Sequence, residues 1–148
     1  MQVLNFDSFQ FRFKNTENRL HIFDIIRKKF VVLQPEEWVR QHVVHHLIEI
    51  KKYPVSLINV EKQLIINGLK KRYDVVVFKP NGKIALLVEC KAPMVTIDQN
   101  TFNQIAIYNL NADADYLMVT NGLQHYYCLM NIETENYTFL KDIPDFSR

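Results

Sequence analysis

Asp74 opens one apolar run, DVVVF (74–78), while Glu89 and Lys91 close another, LLVECK (86–91). Carboxylates and an ammonium at the ends of a valine-rich hairpin are costly to desolvate unless something compensates them. Asn81-Gly82 separates the two runs and is a strong hairpin signal. A type I′ turn there would pair Pro80 with Lys83 and set Asp74 directly opposite Glu89 on the same face. Lys91, two residues beyond Glu89, would then point the same way, about 7 Å along the strand.

Two carboxylates with Cβ atoms about 5 Å apart repel, by about 3 kcal/mol at an effective dielectric near 20. A divalent cation turns the repulsion into attraction. Magnesium takes one or two carboxylates and keeps several waters, so Asp74 and Glu89 are candidate metal ligands. Lys91 stands where it could orient an attacking water or steady charge developing at phosphorus. The plain alternative is a surface salt bridge at a hairpin end. Spacing alone does not decide, because Glu49-Ile50-Lys51 repeats Glu-x-Lys on a helix. Residues two apart on a helix point about 200° away from each other and cannot converge.

The elements that must hold these charges read as follows. A helix starts at Pro35, with Glu36 and Glu37 at the positive end of its dipole. Its apolar stripe (Trp38, Val39, Val43, Leu47, Ile50) lasts to about Lys52, and Tyr53-Pro54 ends it. Strand-like runs follow at Ile58–Ile66, Tyr73–Phe78 and Ile84–Cys90, with Asn67-Gly68 a turn after the first. Asp98 can cap a second helix near Asn100–Leu110. Further strands are expected at Tyr116–Thr120, His125–Met130 and Tyr137–Leu140. Upstream, Phe9, Phe11 and Phe13 alternate with polar residues and HIFDII (21–26) reads as extended, so residues 1–33 form an N-terminal strand layer. The expected class is α/β, a mixed central β-sheet flanked by helices.

Composition sets outer bounds. The chain of 148 residues fits one domain, and 48% apolar residues can build a core. A net charge of +2 permits a nucleic-acid partner without demanding one. Cys90 and Cys128 have neither metal-ligand spacing nor a disulfide framework. The first ten residues lack the features of a signal peptide, and no apolar run approaches the roughly 18 residues of a membrane span. A cytoplasmic protein without a membrane partner is expected.

An Asp on one strand and Glu-x-Lys on the next, after a helix bearing a Glu, resembles the PD-(D/E)XK nucleases. The closer resemblance is to the N-terminal nuclease domain of type I restriction enzyme R subunits. It rests on PEEWVRQ (35–41), KKYP (51–54), VEKQLIING (60–68), KRYDVVVF (71–78), LLVECKAP (86–93), FNQIAIYN (102–109) and VTNG (119–122). It implies a restriction-endonuclease-like core over about 35–130 with a short C-terminal extension, and magnesium, or manganese in its place, acting on DNA. Asp74 and Glu89 would be the ligands, the main-chain carbonyl of Cys90 a further one, and Lys91 the catalytic lysine. The helix glutamate of the family corresponds to Glu37, with Glu36 as the alternative. Gln104 and Tyr108 match an accessory Gln-x-x-x-Tyr motif and share one helix face. Tyr73 replaces the proline of the superfamily name.

Other residues are expected to do less. His42, His45 and His46 read as a solvated or phosphate-touching face rather than a zinc site, because Val43 stands where HExxH needs its glutamate. Trp38 and the Phe9/Phe11/Phe13 stripe read as core. Lys28-Lys29 and Lys51-Lys52 read as solubilising, whereas Lys70, Lys71 and Arg72 precede Asp74 and could hold a nucleic-acid backbone. Glu61 could support the site. The leading function is a magnesium-dependent DNA endonuclease domain. The alternatives are a non-cleaving nucleic-acid-binding or complex-assembly module on the same fold and, less favoured, a small-molecule metal hydrolase. No GxxxxGK[ST] loop occurs, so a motor would come from restriction-modification subunits or a separate protein.

Overall fold

The computed structural model describes residues 1–147. A three-stranded antiparallel sheet comes first: β1 (Phe13–Thr16), β2 (Arg19–Asp24) and β3 (Lys29–Val32). Helix α1 (Pro35–His45) then leads to a six-stranded sheet of β4 (Ile58–Ile66), β5 (Leu69–Phe78), β6 (Ile84–Cys90), β7 (Ala114–Thr120), β8 (His125–Asn131) and β9 (Asn136–Leu140). The strands lie in sequence order, and only β6 and β7 are parallel, joined through α2 (Gln99–Asn109). Asp98 caps α2, accepting from Thr101 N at 2.8 Å. Apolar side chains of α1 and of the turn that continues it, including Val39, Val43 and Leu47, pack on one face of the large sheet. Phe102 and Ala106 of α2 pack on the other.

The hairpin between β5 and β6 is not closed by a type I′ turn. Lys79 N donates to Lys83 O at 2.7 Å, and Gly82 N donates to Lys79 O at 2.9 Å. Gly82, at φ +87, ends a three-residue loop and puts Phe78 opposite Ile84. Ala85 then bulges, and from Val77↔Leu86 to Val75↔Val88 the pairing is the one expected. The two irregularities cancel, so the ladder keeps the expected register as far as Val75↔Val88, the pair next to Asp74 and Glu89. A two-residue turn with both residues at positive φ lies instead at Asn67-Gly68, between Ile66 and Leu69.

Four other expectations need correction. Helix α1 gives way at His46 to a π-helical turn (His46–Ile50) instead of continuing regularly to Lys52. Strand β5 begins at Leu69, so Lys70, Lys71 and Arg72 are ladder residues paired with Ile65, Leu64 and Gln63. Pairing with β4 overrides their low strand propensity. Only Phe13 of the phenylalanine stripe is in a strand, and it is exposed, whereas Phe9 and Phe11 lay their rings on α1. That cover explains why His42 and His45 are buried rather than solvated. His42 Nδ1 lies 2.8 Å from Trp38 O, and His45 Nδ1 lies 2.9 Å from Glu49.

Candidate active site

Alternation along a strand puts residues two apart on one face, yet Tyr73 belongs to the α2-side core and Val75 to the α1-side core. The neighbouring strand switches in step, with Ile58 and Val60 on the α1 side and Leu64 and Ile66 on the α2 side. The switch passes through Glu61, at φ +53, which the β4–β5 register places opposite Asp74. A left-handed glutamate within a strand is strained, and such residues cluster at functional sites. Asp74 therefore stands at a local twist, a feature that even alternation of residue types cannot reveal.

The twist turns Asp74 toward α1. Its Oδ1 accepts from Arg40 at 3.1 Å and its Oδ2 from Cys90 N at 2.8 Å. Burial pushes its carboxyl up to about 6 from 3.8. The Cys90 N–H and Arg40 oppose that rise, while the charges of Glu36 and Glu89 add to it. Arg40 also grips Glu37 through two hydrogen bonds of 2.8 and 2.9 Å. Arg27, delivered by the turn after β2, donates to Glu37 at 2.9 Å and to Glu61 at 3.2 Å. Asp24 locks that turn by accepting from the backbone of Ile26 and Arg27, and it receives Gln41 at 3.1 Å. Burial pushes Glu37 up, but the bonds from Arg40 and Arg27 more than offset it and leave its carboxyl below the ordinary value.

Glu37 is thus taken up by two arginines, and exposed Glu36 is the helix acid whose charge acts on Asp74. Arg27 and Arg40 escaped sequence reading altogether. The signal available for Arg40 was its position one helical turn after Glu37, inside PEEWVRQ.

Glu89 has its partners on the α2 side. Lys71 Nζ meets its Oε1 at 2.7 Å and lies 5.2 Å from the ring centroids of both Tyr73 and Tyr108. Gln104, Tyr108 and Asn109 of α2 complete an open cleft with Lys71 and Glu89. The accessory pair is thereby gathered beside Glu89, with Tyr108 48% exposed. Asn109 meanwhile receives the Tyr73 hydroxyl. Lys71 is engaged by an acid of the site instead of lying free for a nucleic-acid backbone, whereas Lys70 and Arg72 are exposed. Lys91 extends β6 beside β7, its N–H on Thr120 O at 2.8 Å, and its side chain has no ion pair among the described residues. The Cys90 thiol is buried in the α1-side core and burial raises its pKa, so only its backbone reaches the site.

The arrangement differs from a single cluster on one face. Asp74 is held from the α1 side and Glu89 from the α2 side, with the Cys90 backbone between them. Among the described residues, no three His, Cys, Asp or Glu side chains converge on a metal-sized point. The donor set nonetheless suits a hard divalent cation, with two carboxylates from adjacent strands, Asp74 in the middle of β5 and Glu89 near the end of β6, the first of them proton-seeking near neutrality. Among the described residues, no helix is long and apolar enough to cross a membrane. The family model for the type I restriction enzyme R protein N terminus matches residues 35–144. No curated protein matches the chain.

Proposed function

Because the chain belongs to the family of type I restriction enzyme R protein N termini, we propose that it is a magnesium-dependent endodeoxyribonuclease domain that hydrolyses DNA phosphodiester bonds. The observation that carries this reading is the Asp74 carboxylate, which burial and two neighbouring acids hold to about 6 while a Cys90 N–H fixes its orientation. That environment gains from a cation close by. Asp74 and Glu89 would hold magnesium, or manganese in its place, with the Cys90 carbonyl available as a further ligand. The ion would supply positive charge against the reacting phosphate and ease deprotonation of the attacking water.

This chain's own groups would do the rest. Lys91 directs its ammonium at the scissile phosphate, holding the water in line and countering charge as the bond to the leaving oxygen breaks. Gln104 and Tyr108, on the rim beside Glu89, steady a phosphate oxygen. Arg40 keeps Asp74 in place, and Glu36 is the helix acid nearest in effect. Lys70 and Arg72 hold the DNA backbone. No phosphate-binding GxxxxGK[ST] loop occurs in these residues, so translocation along DNA would be supplied from outside them, by restriction-modification subunits or a motor protein among the candidates.

A second reading, a non-cleaving DNA-binding or assembly module, draws support from the ion pairs of Asp74 with Arg40 and of Glu89 with Lys71. Calorimetric titration with Mg²⁺ and Mn²⁺ separates the two. The nuclease reading expects binding that Asp74→Asn and Glu89→Gln each weaken sharply, and unchanged binding in both variants would reject the site.

A further inference from the structure

The first sheet lies outside the stretch matched by the family model, which begins at residue 35. Its register fixes what each face carries. Phe23 pairs with Phe30, His21 with Val32 and Lys14 with His21, and Phe23 N donates to Arg12 O at 2.9 Å. Arg12, Lys14, His21, Phe23, Phe30 and Val32 therefore share one face. The opposite face sends Ile22 and Val31 into the α1-side core, whereas Phe23 and Phe30 belong to neither core cluster.

The two rings lie 5.2 Å apart, edge to face. Their cover is cationic: the Arg12 guanidinium stands 4.5 Å from the Phe23 centroid and 5.6 Å from that of Phe30, and the Lys14 ammonium 5.6 Å from Phe30. Lys28 is exposed at the adjoining turn, and exposed Lys29 starts β3 on the sheet's other side, paired with Asp24. None of these four cations has an ion pair among the described residues.

From this we propose that the outer face of β1–β3 is a docking surface for single-stranded nucleic acid. The chemistry selects the occupant. Unpaired cations call for a polyanion, and paired aromatic rings on an open sheet offer stacking to bases that are not already stacked in a duplex. The planar guanidinium of Arg12 extends the same platform. The sheet that carries this face is also joined to the acid cluster, because β2 ends at Asp24, on its opposite, core-facing side, and the turn there delivers Arg27 to Glu37.

The test is fluorescence anisotropy of a labelled oligothymidine and of a blunt duplex of equal length, in EDTA so that no cleavage intervenes. Phe23→Leu and Phe30→Leu keep apolar bulk in the strands but remove the stacking rings, and thermal melting verifies that each variant folds. Wild type should bind the oligothymidine more tightly than the duplex. Each leucine variant should weaken that binding about tenfold and leave duplex binding unchanged. Arg12→Ala should lower the dependence of log affinity on log salt by about one contact. Wild-type affinity for oligothymidine carried over intact to both folded leucine variants would overturn the proposal. So would a wild type that ignores oligothymidine, whether or not it captures an acidic peptide. Because the readout is binding without metal, loss of the nuclease reading through Lys91 would leave this result untouched.

Discussion

Asp74→Asn should stabilise the fold at neutral pH. A carboxyl held at about 6 in the folded protein and near 3.8 when unfolded makes the folded state about 3 kcal/mol less favourable above both values. With the side chain 22% exposed, solvent screening reduces this to about 2 kcal/mol, which is a rise in Tm of about 4–8 °C. Below about pH 3 both states hold the proton and the substitution should gain nothing. Between there and pH 6 the unfolded chain ionises first and the gap opens, and above about 6.5 it should be constant. Asparagine keeps an acceptor for Cys90 N, so the perturbation removes charge with little change of shape. Thermal melts of both proteins from pH 3 to 8 in EDTA measure the effect. Saturating Mg²⁺, at a hundred times its dissociation constant, should then add about 2.7 kcal/mol to the wild type alone and close the gap. A variant that melts lower than wild type at pH 8, or a gap independent of pH, would refute the picture of a carboxylate strained for a cation.

Arg40→Ala removes the only side-chain cation on Asp74 among the described residues and one of two on Glu37. Urea denaturation at pH 7 should show a loss of about 3 kcal/mol, as expected when a buried ion pair loses one partner. Gly122→Ala adds a Cβ only 2.9 Å from Leu4 at a backbone φ of +88; thermal melting should show about 1–3 kcal/mol of destabilisation. Gln104→Ala should slow DNA cleavage by roughly ten- to a hundredfold with little change in melting temperature. A destabilised Gln104→Ala variant cleaving at the wild-type rate at low temperature would return the residue to a packing role.

Periodicity and turn chemistry carried much of the fold. The β4–β9 order follows from runs of apolar residues broken by Asn-Gly pairs, and α2 follows from its Asp98 cap. The register of β5 on β6 was also legible, although by a route that the chain does not take, since the Gly82 loop and the Ala85 bulge compensate each other. What stayed hidden was long-range. Nothing local announces that Glu61 adopts a positive φ or that the strands twist where it meets Asp74. Nor does spacing show that Arg27, ten residues before Glu37, returns to bind it. Lys28 and Lys29 are exposed, as a solubilising pair would be, but pairing with β2, not propensity, is what makes a strand from Lys29 onward. The buried histidines of α1 were misjudged for a related reason, because their cover comes from Phe6, Phe9 and Phe11 at the far N-terminal end.

The central claim is that Asp74, Glu89 and Lys91 cut DNA together, and plasmid cleavage across a magnesium titration tests it most directly. Wild type should nick or linearise plasmid only with the metal, while Lys91→Ala should lose cleavage yet keep its melting temperature and its calorimetric affinity for Mg²⁺. On the proposed roles the lysine is not a ligand, so only chemistry should fail. Cleavage by Lys91→Ala at the wild-type rate would contradict the account.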